Sequence, residues 1–153
     1  MKTLTAYFSA SGITRKTAEI IADTCKSDLF EIRPKQPYTR NDLNYLNPLS
    51  RCNREKIRGL DVEIRDQVNG MESYERLVIG FPIWYAGAPN IIVSFLKQYD
   101  LSNKQIAIFA TSGGSKIGKT AEKLKPYLQS AEIIACELIE TDEQAKAFAA
   151  KLK

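Results

Sequence analysis

A chain of 153 residues is enough for one domain around one core. Its ordinary apolar (44%) and charged (26%) fractions exclude disordered and fibrous classes, and no run approaches the roughly 18 apolar residues of a membrane span. With no histidine, the chain lacks the commonest metal ligand, the usual general base and any Ser-His triad, and a net charge of +4 is too mild and scattered for a nucleic-acid stripe.

Cys25, Cys52 and Cys136 are an odd number with no C-x-x-C pair, which argues against a disulfide framework and against zinc and suits small buried apolar residues. The first residues lack an export signal, so the expected location is cytoplasmic, with no membrane or nucleic-acid partner.

Leu4 to Phe8 reads as a short apolar strand, followed by the small-residue loop S-A-S-G-I-T from Ser9 to Thr14. A helix takes over at Thr14, with Ala18, Ile21, Ala22 and Cys25 forming one apolar stripe. Leu29 to Ile32 reads as a second strand, ended by Pro34. Residues 34–76 carry turn and cap chemistry at Tyr38, Thr39, Asn41 and Asp42, a breaker at Asn47-Pro48, and a polar helical turn from Arg51 to Arg58 that ends at Gly59. So long a connection predicts one or two short helices with a lid role.

Leu77 to Phe81 is the third strand and stops at Pro82, which cannot donate to a ladder. Just past it stand Ile83, Trp84 and Tyr85, with Gly87 behind and Pro89 starting the next helix. The aromatic pair either stacks on a flat ligand or covers the end of the core. The helix from Asn90 to Tyr99 buries Ile91, Ile92, Phe95, Leu96 and Tyr99. Gln105 to Thr111 is a fourth, nearly all-apolar strand, and Ser112 to Gly118 a Gly/Ser loop. The next helix carries Ala121, Leu124 and Leu128, with Pro126 set to kink or shorten it. Glu132 to Ile139 is a fifth strand, and Thr141 with Gln144 caps a last helix burying Ala145, Phe148, Ala149 and Leu152. Strands alternating with helices predict a doubly wound parallel sheet with right-handed crossovers.

In such a sheet the loops after strands one, three and four lie together at the carboxyl end. The first offers the hydroxyls of Ser9, Ser11 and Thr14 around Gly12 at a helix N-terminus, which suits a phosphate or is simply a capped turn. The second is aromatic. The third, T-S-G-G-S, brings backbone close to a ligand rim. A phosphate cradle, a stacking surface and a backbone rim together fit a mononucleotide.

These stretches make the sequence similar to short-chain flavodoxin-like proteins: S-A-S-G-I-T resembles that family's phosphate loop, G-F-P-I-W-Y its first ring loop and T-S-G-G-S its second. The resemblance implies a flavodoxin-like α/β fold, five parallel strands in the order 2-1-3-4-5, with FMN rather than FAD at the switch between strands one and three. It implies that Ser9, Ser11, Gly12, Ile13 and Thr14 hold the phosphate, and that the loop Pro82, Ile83, Trp84, Tyr85, Ala86, Gly87 meets the ring, with Trp84 or Tyr85 stacking on it. Ser112, Gly113, Gly114 and Ser115 would border the pyrimidine side, and amides around Ala86 and Gly87 would tune the reactive nitrogen. The expected function is electron transfer through a non-covalent flavin, with no catalytic side chain, and with a redox partner protein or NAD(P)H as donor.

Two departures bear on that role. Electron-carrying flavodoxins are strongly acidic, whereas this chain is positive, and its second ring loop has glycines where many flavodoxins have a stacking tyrosine. An open ring face favours hydride or quinone chemistry, hence the alternative of an NAD(P)H-dependent flavin or quinone reductase. A different class is also written in the chain: Gly113 to Thr120 fits the Walker pattern, with Lys119 for phosphates, Thr120 for magnesium, and Glu140 or Asp142 as the second metal group. A phosphoacceptor receiver is excluded by Ser9 and Phe81-Pro82 where it needs aspartates. An interaction domain without a ligand is the remaining reading.

Overall fold

The computed structural model describes residues 1–153 except 45, 48, 60, 86 and 113–115, with the backbone alone at 53 and 56–58. Five strands, β1 (Thr3–Tyr7), β2 (Asp28–Glu31), β3 (Arg76–Pro82), β4 (Gln105–Thr111) and β5 (Glu132–Leu138), form one sheet in the order β2-β1-β3-β4-β5. Every pairing is parallel. The helices are α1 (Ile13–Cys25), α2 (Arg51–Arg58), α3 (Asn90–Leu96), α4 (Thr120–Leu124) and α5 (Asp142–Ala150). The flavodoxin-like order expected from the sequence is therefore the observed one.

Alternation along the central strands makes two cores. Leu4 and Ala6 of β1, Leu77, Ile79 and Phe81 of β3, and Ile106, Ile108 and Ala110 of β4 point to the face covered by Ile91, Ile92, Phe95 and Leu96 of α3 and Leu124 of α4. Tyr7, Val78, Ala107 and Phe109 point to the other face, under Ala18 and Ile21 of α1 and Ala145, Phe148 and Ala149 of α5. Buried on both faces, these strands read as continuous apolar runs. Gly80 has a packing reason: a Cβ there would lie 1.9 Å from the ring of Phe109, its registered neighbour on β4.

Most element ends fall within a residue or two of the expected ones. The helix after β3 is shorter: α3 ends at Leu96 with Lys97 as its C-cap, and beyond it the Tyr99 hydroxyl oxygen accepts the backbone N–H of Val68 (2.9 Å). Pro126 acts as expected: α4 stops at Leu124 and gives way to a 3₁₀ turn, Lys125–Tyr127. The capping box at Thr141 and Gln144 is formed at both bonds. Of the cysteines, Cys52 is buried while Cys25 and Cys136 are partly so.

Among its described residues the segment 34–76 holds one α-helix, α2, and a 3₁₀ turn, Met71–Ser73. Pro48, half of the expected breaker, lies outside the described residues. The segment folds back on the end of β2 through an antiparallel bridge between Pro34 and Ile64. It then rests on α3 through the bond from Val62 N–H to Ser94 Oγ (2.9 Å). Among the described residues no helix is long and apolar enough to cross a membrane.

Candidate functional site

The loop leaving β1 is set by Gly12. Its φ of +93° is a left-handed conformation that suits glycine, although a Cβ there would meet nothing within 4 Å, so backbone conformation and not space selects it. Ser9 Oγ accepts the Gly12 N–H at 3.0 Å, closing the turn. The helix ladder starts with Lys16 N–H donating to the Gly12 carbonyl (3.2 Å), so the amides of Ile13, Thr14 and Arg15 stand ahead of it at the positive end of α1. Ser11 and Ile13 are exposed beside these amides. Thr14 faces inward, and its hydroxyl bonds that of Thr111 at 2.7 Å.

The aromatic loop leaves β3 at Pro82. Ile83 N–H donates to the Thr111 carbonyl (2.9 Å), tying this loop to the end of β4. Trp84 and Gly87 then exchange both backbone bonds, at 2.8 and 3.1 Å, and close a tight turn. The Gly87 amide is used in that closure, while Ala86 lies outside the described residues. Tyr85 sits at the tip with φ +52°, a rare conformation for a bulky side chain. Its residue is 43% exposed, yet its hydroxyl reaches Cys52 Sγ of α2 at 3.5 Å. Burial of that hydroxyl, and then its bond to the thiol, raise the phenol's pKa. The Trp84 indole meets Phe8 and Tyr38 edge to face, with centroids 5.5 Å away in each case.

The first two of the three expected loops therefore meet at the end of β4. Thr111 touches the first through Thr14 and the second through Ile83, and Phe8 at the root of the first touches Trp84 in the second. Ser112 follows Thr111 directly, whereas Gly113, Gly114 and Ser115 lie outside the described residues.

The sequence did not single out the outer wall. Tyr38 donates its hydroxyl to the Glu55 carboxylate, at 2.8 and 2.6 Å to the two oxygens. Arg51 bonds Glu55 (2.9 Å) and the carbonyl of Gln36 (2.6 Å), with its guanidinium 4.0 Å over the Tyr38 ring. Burial and the Glu55 carboxylate push the Tyr38 phenol's pKa far up. The available signal was modest: an aromatic in a polar stretch, and an Arg51/Glu55 pair at helical i,i+4 spacing.

On the β2 side of the first loop, Ser9, Tyr38, Arg33, Lys35 and Arg65 border a cleft of about 300 Å³. The Walker reading finds poor support. Thr120 is fully buried and its hydroxyl donates to the Ile117 carbonyl, so it is not presented to a metal, and Asp142 pairs with Lys16 at 3.6 Å.

A family model described as flavodoxin matches residues 2–152. The chain belongs to the flavodoxin family. Among solved structures, this flavodoxin-family chain is similar to a candidate flavoprotein from Bacteroides eggerthii, with 38% identity, a TM-score of 0.91, and 99% of this chain and 95% of that one covered. It is likewise similar to a candidate flavoprotein from Bacteroides uniformis, with 31% identity, a TM-score of 0.91 and 97% of each chain covered. A Lactobacillus acidophilus flavoprotein solved in complex with FMN shares the fold at 23% identity and a TM-score of 0.73, over 95% of this chain and 98% of that one. None of the curated proteins matches the chain.

Proposed function

We propose that this flavodoxin-family protein binds one FMN without a covalent bond and passes electrons through it. The observation that carries the reading is the junction at Thr111, which holds the hydroxyl-rich turn and the aromatic turn at one end of the sheet. The phosphate would rest on the amides of Ile13, Thr14 and Arg15 with the hydroxyls of Ser9 and Ser11, where the helix dipole favours an anion. The ring would lie against Trp84 or Tyr85, with Ser112 to Ser115 along its pyrimidine edge. FMN is preferred to a larger flavin because the fold relative from Lactobacillus acidophilus was solved with it.

When bound, the flavin supplies the redox chemistry. The chain's own part is to position it, to exclude water with Trp84, Tyr38 and Phe8, and to set the field around it. The test is the spectrum of the purified or FMN-saturated protein: flavin absorption, with FMN released on denaturation, is expected. A protein that stays colourless at saturating FMN would refute the reading.

Charge favours a second reading. The +4 balance is opposite to that of acidic carriers, so the donor is an acidic protein or NAD(P)H acting directly, the latter making the protein a reductase in the cytoplasm. Anaerobic mixing of the FMN-loaded protein with NADPH and, separately, with NADH separates these: rapid bleaching by either without an added reductase indicates an enzyme, and colour that persists with both favours a carrier.

A further inference from the structure

Trp84 is held from outside the sheet. Its indole meets Tyr38 at 5.5 Å and 90°, and Tyr38 comes from the connection between β2 and β3, not from any of the three loops. Tyr38 is in turn fixed at both ends. Its hydroxyl donates a hydrogen bond to Glu55, an 8% exposed carboxylate, and its ring lies under the Arg51 guanidinium. Glu55 is anchored further. Its side chain also accepts from Arg51 at 2.9 Å, and its backbone carbonyl accepts from Asn90 Nδ2 at 2.5 Å, at the start of α3. Arg51 completes the frame by donating to the carbonyls of Gln36 and Pro37, the residues just before Tyr38.

A buried carboxylate with one charged partner and one phenol donor has little freedom to move, because losing either bond leaves an uncompensated charge in low dielectric. The network thus joins α2 and the start of α3 to the Tyr38 ring, which meets the indole edge to face. Tyr85 is tied to the same helix by its bond to Cys52, so both aromatic residues of the ring loop are referred to α2.

We propose that Tyr38 and Glu55 are positioning residues: they orient Trp84 at the ring end of the site, so the connection between β2 and β3 is a built part of flavin recognition. The effect on flavin binding rests on the FMN reading above; the orientation of Trp84 does not.

Trp84 is the only tryptophan in the chain, so its emission reports its own surroundings without ambiguity. The experiment compares wild type with Tyr38→Phe, which keeps the ring and removes only the hydroxyl, and with Glu55→Gln, which keeps the shape and removes the charge. In the apoprotein both variants are expected to shift Trp84 emission and broaden its lifetime. On titration with FMN both are expected to bind about threefold to tenfold more weakly, the range of a displaced aromatic contact. A merely structural role would lower the denaturation midpoint while leaving emission of the folded protein and FMN affinity unchanged, and that result would overturn the proposal. Shifted emission with unchanged FMN affinity would overturn the link to the flavin. Should wild type take up no FMN, the functional reading fails, and the apoprotein emission still decides whether Tyr38 and Glu55 position Trp84. If Glu55→Gln does not fold, Tyr38→Phe carries the test.

Discussion

Thr111 is where the site is tied together, and its value is a matter of hydroxyl bookkeeping. Buried hydroxyls need partners, and Thr14 and Thr111 supply each other at 2.7 Å across 97 residues of chain. Replacing Thr111 by Val should leave Thr14 without that partner and cost about 1–3 kcal/mol, measurable as a lowered urea midpoint. Thr14→Val combined with it should cost less than the sum of the two singles. Gly80→Ala should be worse tolerated than its size suggests. The new methyl would enter the Phe109 ring, and the overpacking should cost about 1–3 kcal/mol by the same measurement. For flavin binding, Trp84→Ala and Tyr85→Ala should each weaken FMN by about 1 kcal/mol if that side chain stacks. Unchanged affinity in both variants would refute stacking by this loop.

At the scale of elements, local rules worked where local rules decide. The stripe Ala18, Ile21, Ala22 placed α1 against the sheet, and Thr141 with Gln144 placed the start of α5. Thr141→Ala should therefore cost about 1 kcal/mol, the usual worth of an N-cap, again read as a denaturation midpoint. The connection between β2 and β3 was not legible, for a physical reason. Its order comes from partners far along the chain: Pro34 with Ile64, Val62 with Ser94, Val68 with Tyr99, and Asn90 with the Glu55 carbonyl. No periodicity announces such pairs. The hydroxyl turn and the aromatic turn were legible because their residue types are unusual for strand ends. What sequence could not tell was that Thr14 looks inward to Thr111 and that Trp84 leans on Tyr38.

For the whole molecule, the tyrosines set the behaviour at high pH. Bonding to Asp28, and then burial, push the Tyr74 phenol up to about 12, and burial raises those of Tyr7, Tyr38, Tyr85 and Tyr99. An unfolded phenol ionises near 10, so the native state holds more protons above that pH. This contribution is fully present below pH ~10 and is lost as pH rises from there through about 12 for Tyr74. Urea midpoints should fall over that window, and Tyr74→Phe should flatten the fall. A midpoint independent of pH there would contradict the assignment.

Charge acts at the same scale. With a net charge of +4, the electron transfer proposed above should slow as salt is added when the partner is acidic. The proposed FMN site would take the phosphate at the α1 end and the flat ring at the Trp84 end. Its most direct test is titration of the apoprotein with FMN and with riboflavin, the same ring without the phosphate, followed by quenching of Trp84. Two charge-assisted bonds at about 1.5 kcal/mol each predict that FMN binds one to one and ~100-fold or more tighter. Equal affinity for the two, or no quenching by either, would contradict it.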